Sequence, residues 1–293
     1  MKINSKRINL RVMGRYRFLL KMYYAGSKKF YGSQRQNNVL TIENCILNAL
    51  VRKRYIKDIK RSGLEFASRT DRFVSARASC FSFITEKEPI LMEINSTLPK
   101  EVGVWAYSEV PINFSSRFNA ILRHYKYIVP ESVTILQEQH SINLESIKKA
   151  CKVLEGEHNF INFSKRENLE KKTVRELKVV KFDIINDFMI FDFISKAFLR
   201  QQIRRMVTKI LELGRGEINY DDFLLLFDSS REISYQPADP KGLILWDIMY
   251  DEKINFLEDQ KSKERMKNYL LKKQLKSHFK DQLFRILQGN NSR

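Results

Sequence analysis

One carboxylate set among arginines is the feature of this chain that could do chemistry: Arg69-Thr70-Asp71-Arg72, followed by Phe73-Val74-Ser75-Ala76-Arg77. The stretch reads as a polar loop between two apolar segments. The guanidiniums of Arg69, Arg72 and Arg77 favour an ionised Asp71. A partly desolvated, ionised aspartate suits the role of nucleophile or base and is poorly suited to donate a proton. No second acid stands at a useful spacing, which argues against a two-acid hydrolase or a two-metal nuclease. An Arg-Thr-Asp triplet is also an ordinary turn with a capping aspartate, so the rest of the chain decides between the two readings.

Three further segments carry compatible side chains. In Phe198-Leu199-Arg200-Gln201-Gln202-Ile203-Arg204-Arg205-Met206-Val207, a helix would bury Ile203, Met206 and Val207 and set Arg200 and Arg204 as i, i+4 neighbours. Either arginine can grip a buried carboxylate in bidentate fashion, or the run is a solvated face meeting phosphates. Arg123-His124-Tyr125-Lys126-Tyr127 reads as a strand with Tyr125 and Tyr127 on one face. Tyrosines there pack in a core or stack on an unstacked base, and spacing does not separate the two. The loop at residues 24–36 mixes Tyr31, Gln34, Arg35 and Gln36 with glycines, a composition suited to phosphate contact and base stacking.

The elements that must position these residues alternate. Phe18, Leu20, Met22 and Tyr24 mark a half-buried strand over 16–24, and Thr41 caps a helix running to about residue 54. Strands are expected at 78–84, 102–110 and 123–129. In the second half a helix over 144–154 ends near Gly156. Strands at 179–185 and 188–194 form a hairpin through Asn186-Asp187. A long helix spans 197–213, a shorter one follows at 221–227, and a strand closes the series at 243–250. A polar stretch at 130–141 marks the expected boundary. The reading is an α+β protein of two similar halves, residues 1–130 and 131–250, forming one mostly antiparallel mixed sheet around a basic cleft. A basic tail, 251–293, follows; Leu271, Leu275, Phe279 and Leu283 recur there every four residues, as in an amphipathic helix docked on the body.

Composition bounds the partner. The 293 residues carry 53 Lys and Arg against 34 Asp and Glu, a net charge of +19. That excess favours a polyanion, RNA before an anionic membrane. No apolar run spans a bilayer, and the basic stretch at residues 1–17 lacks a leader's apolar core. Cys45, Cys80 and Cys151 are isolated, and four scattered histidines form no ligand set. A reducing cytoplasm, no disulfide and no structural metal are expected. No glycine-rich phosphate cradle is present either.

Taken in order, these blocks resemble the tRNA pseudouridine synthase A family, in its archaeal and eukaryotic-like branch. The match runs from Tyr24-Ala25-Gly26-Ser27 with Phe30 through Gln36, over Arg69-Thr70-Asp71 with Val74 and Ala76, to Asn95 with Leu98-Pro99. It continues with Phe114, Arg117-Phe118, Arg123-x-Tyr125-x-Tyr127, and Gly156-x-His158-Asn159-Phe160 with Phe163. Phe198-Leu199 through Arg204 and Val207, and Pro237-Ala238 through Gly242-Leu243 with Leu245, complete it.

The resemblance implies an isomerase that converts uridine to pseudouridine in tRNA without cofactor. It implies Asp71 as the catalytic aspartate, Tyr125 as the aromatic partner of the target uracil, Arg204 as the basic partner of the aspartate and Leu245 in the pocket wall. Arg69, Arg72, Arg200, Tyr31, Gln34, Arg35 and Gln36 are then expected to meet the RNA. It further implies a homodimer acting on the anticodon arm, at nucleotides 38 to 40, with no DNA or membrane partner. Three departures stand out: Ser68 and Phe73 replace glycines of the bacterial form, Ser33 replaces a tryptophan, and Ser75 marks the other branch. The competing readings are a non-catalytic RNA-binding or chaperone protein on the same fold, and a synthase acting at other tRNA positions.

Overall fold

The computed structural model describes residues 14–165 and 173–289. Residues 1–13 of the stretch read for a leader, and 290–293 of the basic tail, lie outside the described residues. The elements in chain order are β1 (Tyr16–Tyr24), α1 (Ile42–Arg52), β2 (Glu65–Phe66), β3 (Ser75–Thr85), α2 (Leu91–Asn95), β4 (Val102–Val110) and β5 (Leu122–Ser132). They continue with α3 (Val133–His140), α4 (Leu144–Leu154), β6 (Gly156–Asn159), β7 (Val174–Ile185), β8 (Phe188–Ser195), α5 (Gln202–Gly214), α6 (Tyr220–Leu224), β9 (Leu243–Met249), β10 (Leu257–Glu258) and α7 (Gln260–Leu287).

Local chemistry explains most of these boundaries. The Thr41 hydroxyl accepts from the Asn44 N–H at the start of α1, and Asn143 and Asn219 do the same for α4 and α6. Asn186 and Asp187 take positive φ, 50° and 65°, between the paired Ile185 and Phe188, the twist a two-residue hairpin requires.

Among the described residues the strands form one ten-stranded sheet in the order β10-β4-β1-β3-β9-β5-β8-β7-β6, with β2 paired to β3. Every pairing is antiparallel except β3 with β9, where Ser75 faces Ile244 and Ala76 faces Leu245. This parallel seam joins the first-half strands to the second-half ones. β5 precedes the expected boundary in sequence, yet it pairs with β8 and β9 and so stands on the second side of the seam. β1 is central, between β3 and β4, and buries Leu19 and Tyr23 as well as Phe18, Leu20, Met22 and Tyr24. The half-buried strand expected from its alternation is therefore buried on both faces.

Two helices differ from expectation. The long helix begins at Gln202, five residues late, because Gln201 sits at φ 60° and breaks the run. Only the start of α7 docks: Ser262, Met266 and Tyr269 pack on the sheet, and Arg265 donates to carbonyls of Asn95, Leu98, Pro99 and Val102. Leu271, Leu275, Phe279 and Leu283 are exposed. A four-residue spacing advances about 40° around the helix at each step. These side chains therefore spiral instead of forming one docking face. Among the described residues no helix is long and apolar enough to cross a membrane.

Candidate active site

Asp71 opens onto a cleft of about 960 Å³ between the two sides of the seam. Its loop is held in place by the loop before α1. The Thr70 N–H donates to Ser33 Oγ (2.7 Å), the Ser33 N–H donates to the Thr70 carbonyl (3.0 Å), and Tyr24 Oη lies 2.7 Å from Thr70 Oγ1. The Gly26 N–H donates to Ser75 Oγ (3.0 Å). A Cβ at Gly26 would lie 2.0 Å from the Phe73 carbonyl oxygen, so only glycine permits this approach. Ser33, where the resemblance puts a bulky tryptophan, thus clasps Thr70 with both its hydroxyl and its amide.

The partner of Asp71 comes from the far side of the sheet. Arg204, on the first turn of α5, places Nη1 2.9 Å from Asp71 Oδ2. The Arg204 side chain is only 10% exposed, whereas that of Asp71 is 34% exposed. Arg204 Nε donates to the Ala238 carbonyl (2.7 Å), and the Ala238 N–H returns a bond to the Arg204 carbonyl (3.1 Å). The Pro237-Ala238 segment therefore fixes the guanidinium, and Asp71 keeps Oδ1 outside these bonds. Arg200 precedes α5, so it is not a helical neighbour of Arg204; it lies exposed along the cleft.

Tyr125 and Tyr127 divide the roles that spacing left open. Tyr125 lines the cleft edge-on to Phe198, with ring centres 5.3 Å apart at 83°. Burial raises its pKa, against a smaller downward pull from Arg123 and Ser68. Tyr127 is a core residue donating to the Asp239 carbonyl (3.0 Å).

Arg69, Arg72, Tyr31, Gln34 and Gln36 also line the cleft. Gln36 Nε2 donates to the Tyr31 carbonyl (2.6 Å). Arg35 does not line it; its backbone N–H donates to Glu43 Oε2 (2.9 Å). Arg77 lies 4.7 Å from the Trp246 ring centre and not at Asp71. Leu245 is fully buried, opposite Ala76 and Tyr125 in the sheet register, while Leu243, Leu199 and Ile203 are among the apolar side chains that line the cleft.

Arg123, quoted in the strand motif but given no role there, is a further site residue. Its buried guanidinium donates to Ser68 Oγ (2.9 Å) and to the carbonyls of Ala67 (2.9 Å), Arg117 (2.8 Å) and Lys196. Burial lowers its pKa. It anchors the start of the Asp71 loop to β8. The period of two that put Tyr125 and Tyr127 on one face also puts Arg123 there, which was the available signal. The other carboxylates of the cleft are committed to loop bonds, Glu43 to Arg35 and Glu65 to Ser115 and Ser116.

Comparison with known proteins matches residues 150–251 to a tRNA pseudouridine synthase family model. The chain is 35% identical over 241 residues to tRNA pseudouridine synthase A of Methanothermobacter thermautotrophicus, covering 82% of this chain and 84% of that protein. The chain belongs to the tRNA pseudouridine synthase A family. Its identity is 34% to the Methanosarcina mazei member, covering 84% of this chain and 89% of that protein. With the Pyrococcus furiosus member it is 32%, covering 88% and 92%. The family is an isomerase family, and the alignments extend on both sides of the β3–β9 seam. In this synthase-family chain the aspartate and its arginine come from opposite sides of that seam, 133 residues apart in sequence.

Proposed function

We propose that the protein isomerises uridine to pseudouridine in the anticodon arm of tRNA, with Asp71 as the catalytic group. The observation that carries this reading is the Asp71–Arg204 ion pair in a cleft also lined by Tyr125, Phe198 and Leu243. The uridine is flipped out of the RNA into this cleft. The N1–C1′ bond breaks, the uracil turns, and C5 bonds to C1′; the C5 proton is lost and N1 gains one, so product and substrate are isomers. Asp71 either attacks C1′ or removes the C2′ proton to give a glycal. Arg204 holds Oδ2 and leaves Oδ1 to the sugar, while Tyr125 and Phe198 confine the detached base.

Arg69, Arg200, Gln34 and Gln36 line the same cleft, which supports a role for them in meeting the RNA backbone, whose neutralisation the net charge of +19 favours. The anticodon arm and the homodimer rest on the motif resemblance, and a cytoplasmic setting rests on the three isolated cysteines. The division into two halves, residues 1–130 and 131–250, and a tail, 251–293, rests on the polar stretch at 130–141 and the change of composition after it.

The test is pseudouridine mapping on an unmodified tRNA transcript with wild-type protein and Asp71→Ala, EDTA present throughout. Product at an anticodon-arm uridine with wild type alone supports the reading. Tight tRNA binding with no product from either protein points to the non-catalytic alternative.

A further inference from the structure

Seven described non-glycine residues adopt positive φ, and Phe73 (69°) is the only aromatic one. A bulky side chain is disfavoured in this region. The turn itself needs no ring, because the resemblance puts glycine at this position. Backbone strain that persists in one place points to a use for the side chain it carries.

The Phe73 ring does have partners. The Arg72 guanidinium lies 4.8 Å from its centre and 4.0 Å from the centre of the Tyr31 ring. The Lys241 ammonium lies 5.9 Å from the Phe73 ring. Arg72 Nη2 donates to the Lys28 carbonyl (3.2 Å), while its buried Nε makes no hydrogen bond. Stacking therefore fixes this guanidinium more than hydrogen bonding does. Tyr31 is 43% exposed, and Tyr31 and Arg72 line the same cleft as Asp71.

Flat aromatic and guanidinium surfaces beside a second cation are the chemistry that takes an unstacked nucleobase and its phosphate. We infer that Tyr31, Arg72 and Phe73 form a stacking lip that receives the base next to the flipped uridine and holds the RNA open at the cleft mouth. The inference rests on the proposed RNA-modifying function. It assigns the strained Phe73 a role in substrate choice. A flipped nucleotide leaves its neighbours unstacked on one side, and the lip offers them a replacement surface.

The experiment measures steady-state pseudouridine formation by wild type, Phe73→Gly, Tyr31→Ala and Tyr31→Phe. Each acts on an intact tRNA transcript and on transcripts with an abasic site on either side of the target. Phe73→Gly relieves the backbone, and Tyr31→Phe keeps the ring, so neither compromises folding. Phe73→Gly and Tyr31→Ala should each raise KM about tenfold, with the loss in KM and not kcat, while Tyr31→Phe, which keeps the stacking ring, should raise it several-fold less than Tyr31→Ala does. One abasic neighbour should raise the wild-type KM similarly and add little to the Phe73→Gly defect. Variant KM values within about twofold of wild type, or a full abasic penalty in Phe73→Gly, overturn the lip. If wild type modifies no tRNA, the synthase reading fails instead. The lip is then read with 2-aminopurine beside a bulged uridine, and fluorescence that wild type leaves unquenched overturns it.

Discussion

Arg204 Nη1 and Asp71 Oδ2 meet at 2.9 Å across the seam where β3 runs parallel to β9. This one contact couples the Asp71 loop to α5, and through the Ala238 carbonyl to the segment that leads into β9. The chemistry assigned to Asp71 therefore depends on both sides of the sheet being correctly docked. Asp71→Asn keeps the shape of the side chain and removes its charge. We expect a fall in kcat of about 10⁴-fold or more, measured by tritium release from C5-labelled tRNA, with tRNA binding retained.

Arg204→Lys should not rescue Arg204→Ala. A lysine ammonium cannot satisfy both the Asp71 carboxylate and the Ala238 carbonyl in the planar arrangement that Nη1 and Nε provide. A kcat loss on the order of 10²-fold is expected for both variants. Asp71 is one-third exposed and can hydrate once its partner is removed, so the pair itself contributes no more than about 1 kcal/mol to stability. Activity and Tm measured side by side check this; a lysine variant with wild-type kcat would rule out the need for a guanidinium that bridges Asp71 and the Ala238 carbonyl.

Gly26→Ala puts a methyl group where the Phe73 carbonyl already stands, 2.0 Å from the new carbon. The loop before α1 must then separate from the Asp71 loop, at a cost of about 1–3 kcal/mol. Thermal unfolding should show the lower Tm, with kcat falling as well. At Phe73 the usual ranking of alanine over glycine should reverse. Both substitutions remove the ring, but only alanine retains the φ 69° penalty, so Phe73→Gly should be the more stable by about 1 kcal/mol.

Alkaline pH should unfold the protein by linkage. Burial pushes the Cys80 and Cys151 thiols up to about 12 from 9.0, and the Tyr127 hydroxyl up to about 12 from 10.0. Burial also raises Tyr24, Tyr125 and Tyr250. In the unfolded chain these groups release protons at their ordinary values, while the folded chain retains them. Above pH 9 the unfolded state thus binds fewer protons and stability falls as pH rises. Tm should be level below that point and decline from pH 9 toward 12. Tyrosinate absorbance should appear together with loss of the circular dichroism signal; an unchanged Tm through this window would contradict the burial of these groups.

Arg265 anchors α7. It donates to Tyr23 Oη (2.8 Å) and to carbonyls at the end of α2 and beyond, and it packs against Gly103. Arg265→Ala leaves these acceptors unpaired, and we expect a loss of about 2–3 kcal/mol in urea unfolding. Deleting the chain from Leu270 onward removes only exposed residues among those described, and the unfolding midpoint should not move. A large drop would show that the distal part of the helix docks on the body.

The amino-acid sequence by itself determined the local elements and the type of chemistry. Thr41 caps α1, Asn186-Asp187 turns the hairpin, and period-two alternation marks β5, because each signal is complete within one turn or one strand. Asp71 stood out because a lone acid among arginines is legible in four adjacent residues, Arg69 to Arg72. The tertiary structure decided which residues serve it. Arg204 and not Arg200 reaches Asp71, because Gln201 breaks the helix and sets where α5 begins. Tyr125 and not Tyr127 faces the cleft, and Leu243 at the start of β9 lines it while Leu245 is buried between Ala76 of β3 and Tyr125 of β5. The residues 24–36 that composition assigned to RNA divide, with Tyr24, Gly26 and Ser33 bracing the Asp71 loop. Such choices arise from pairings made tens to hundreds of residues apart, which periodicity and propensity do not encode.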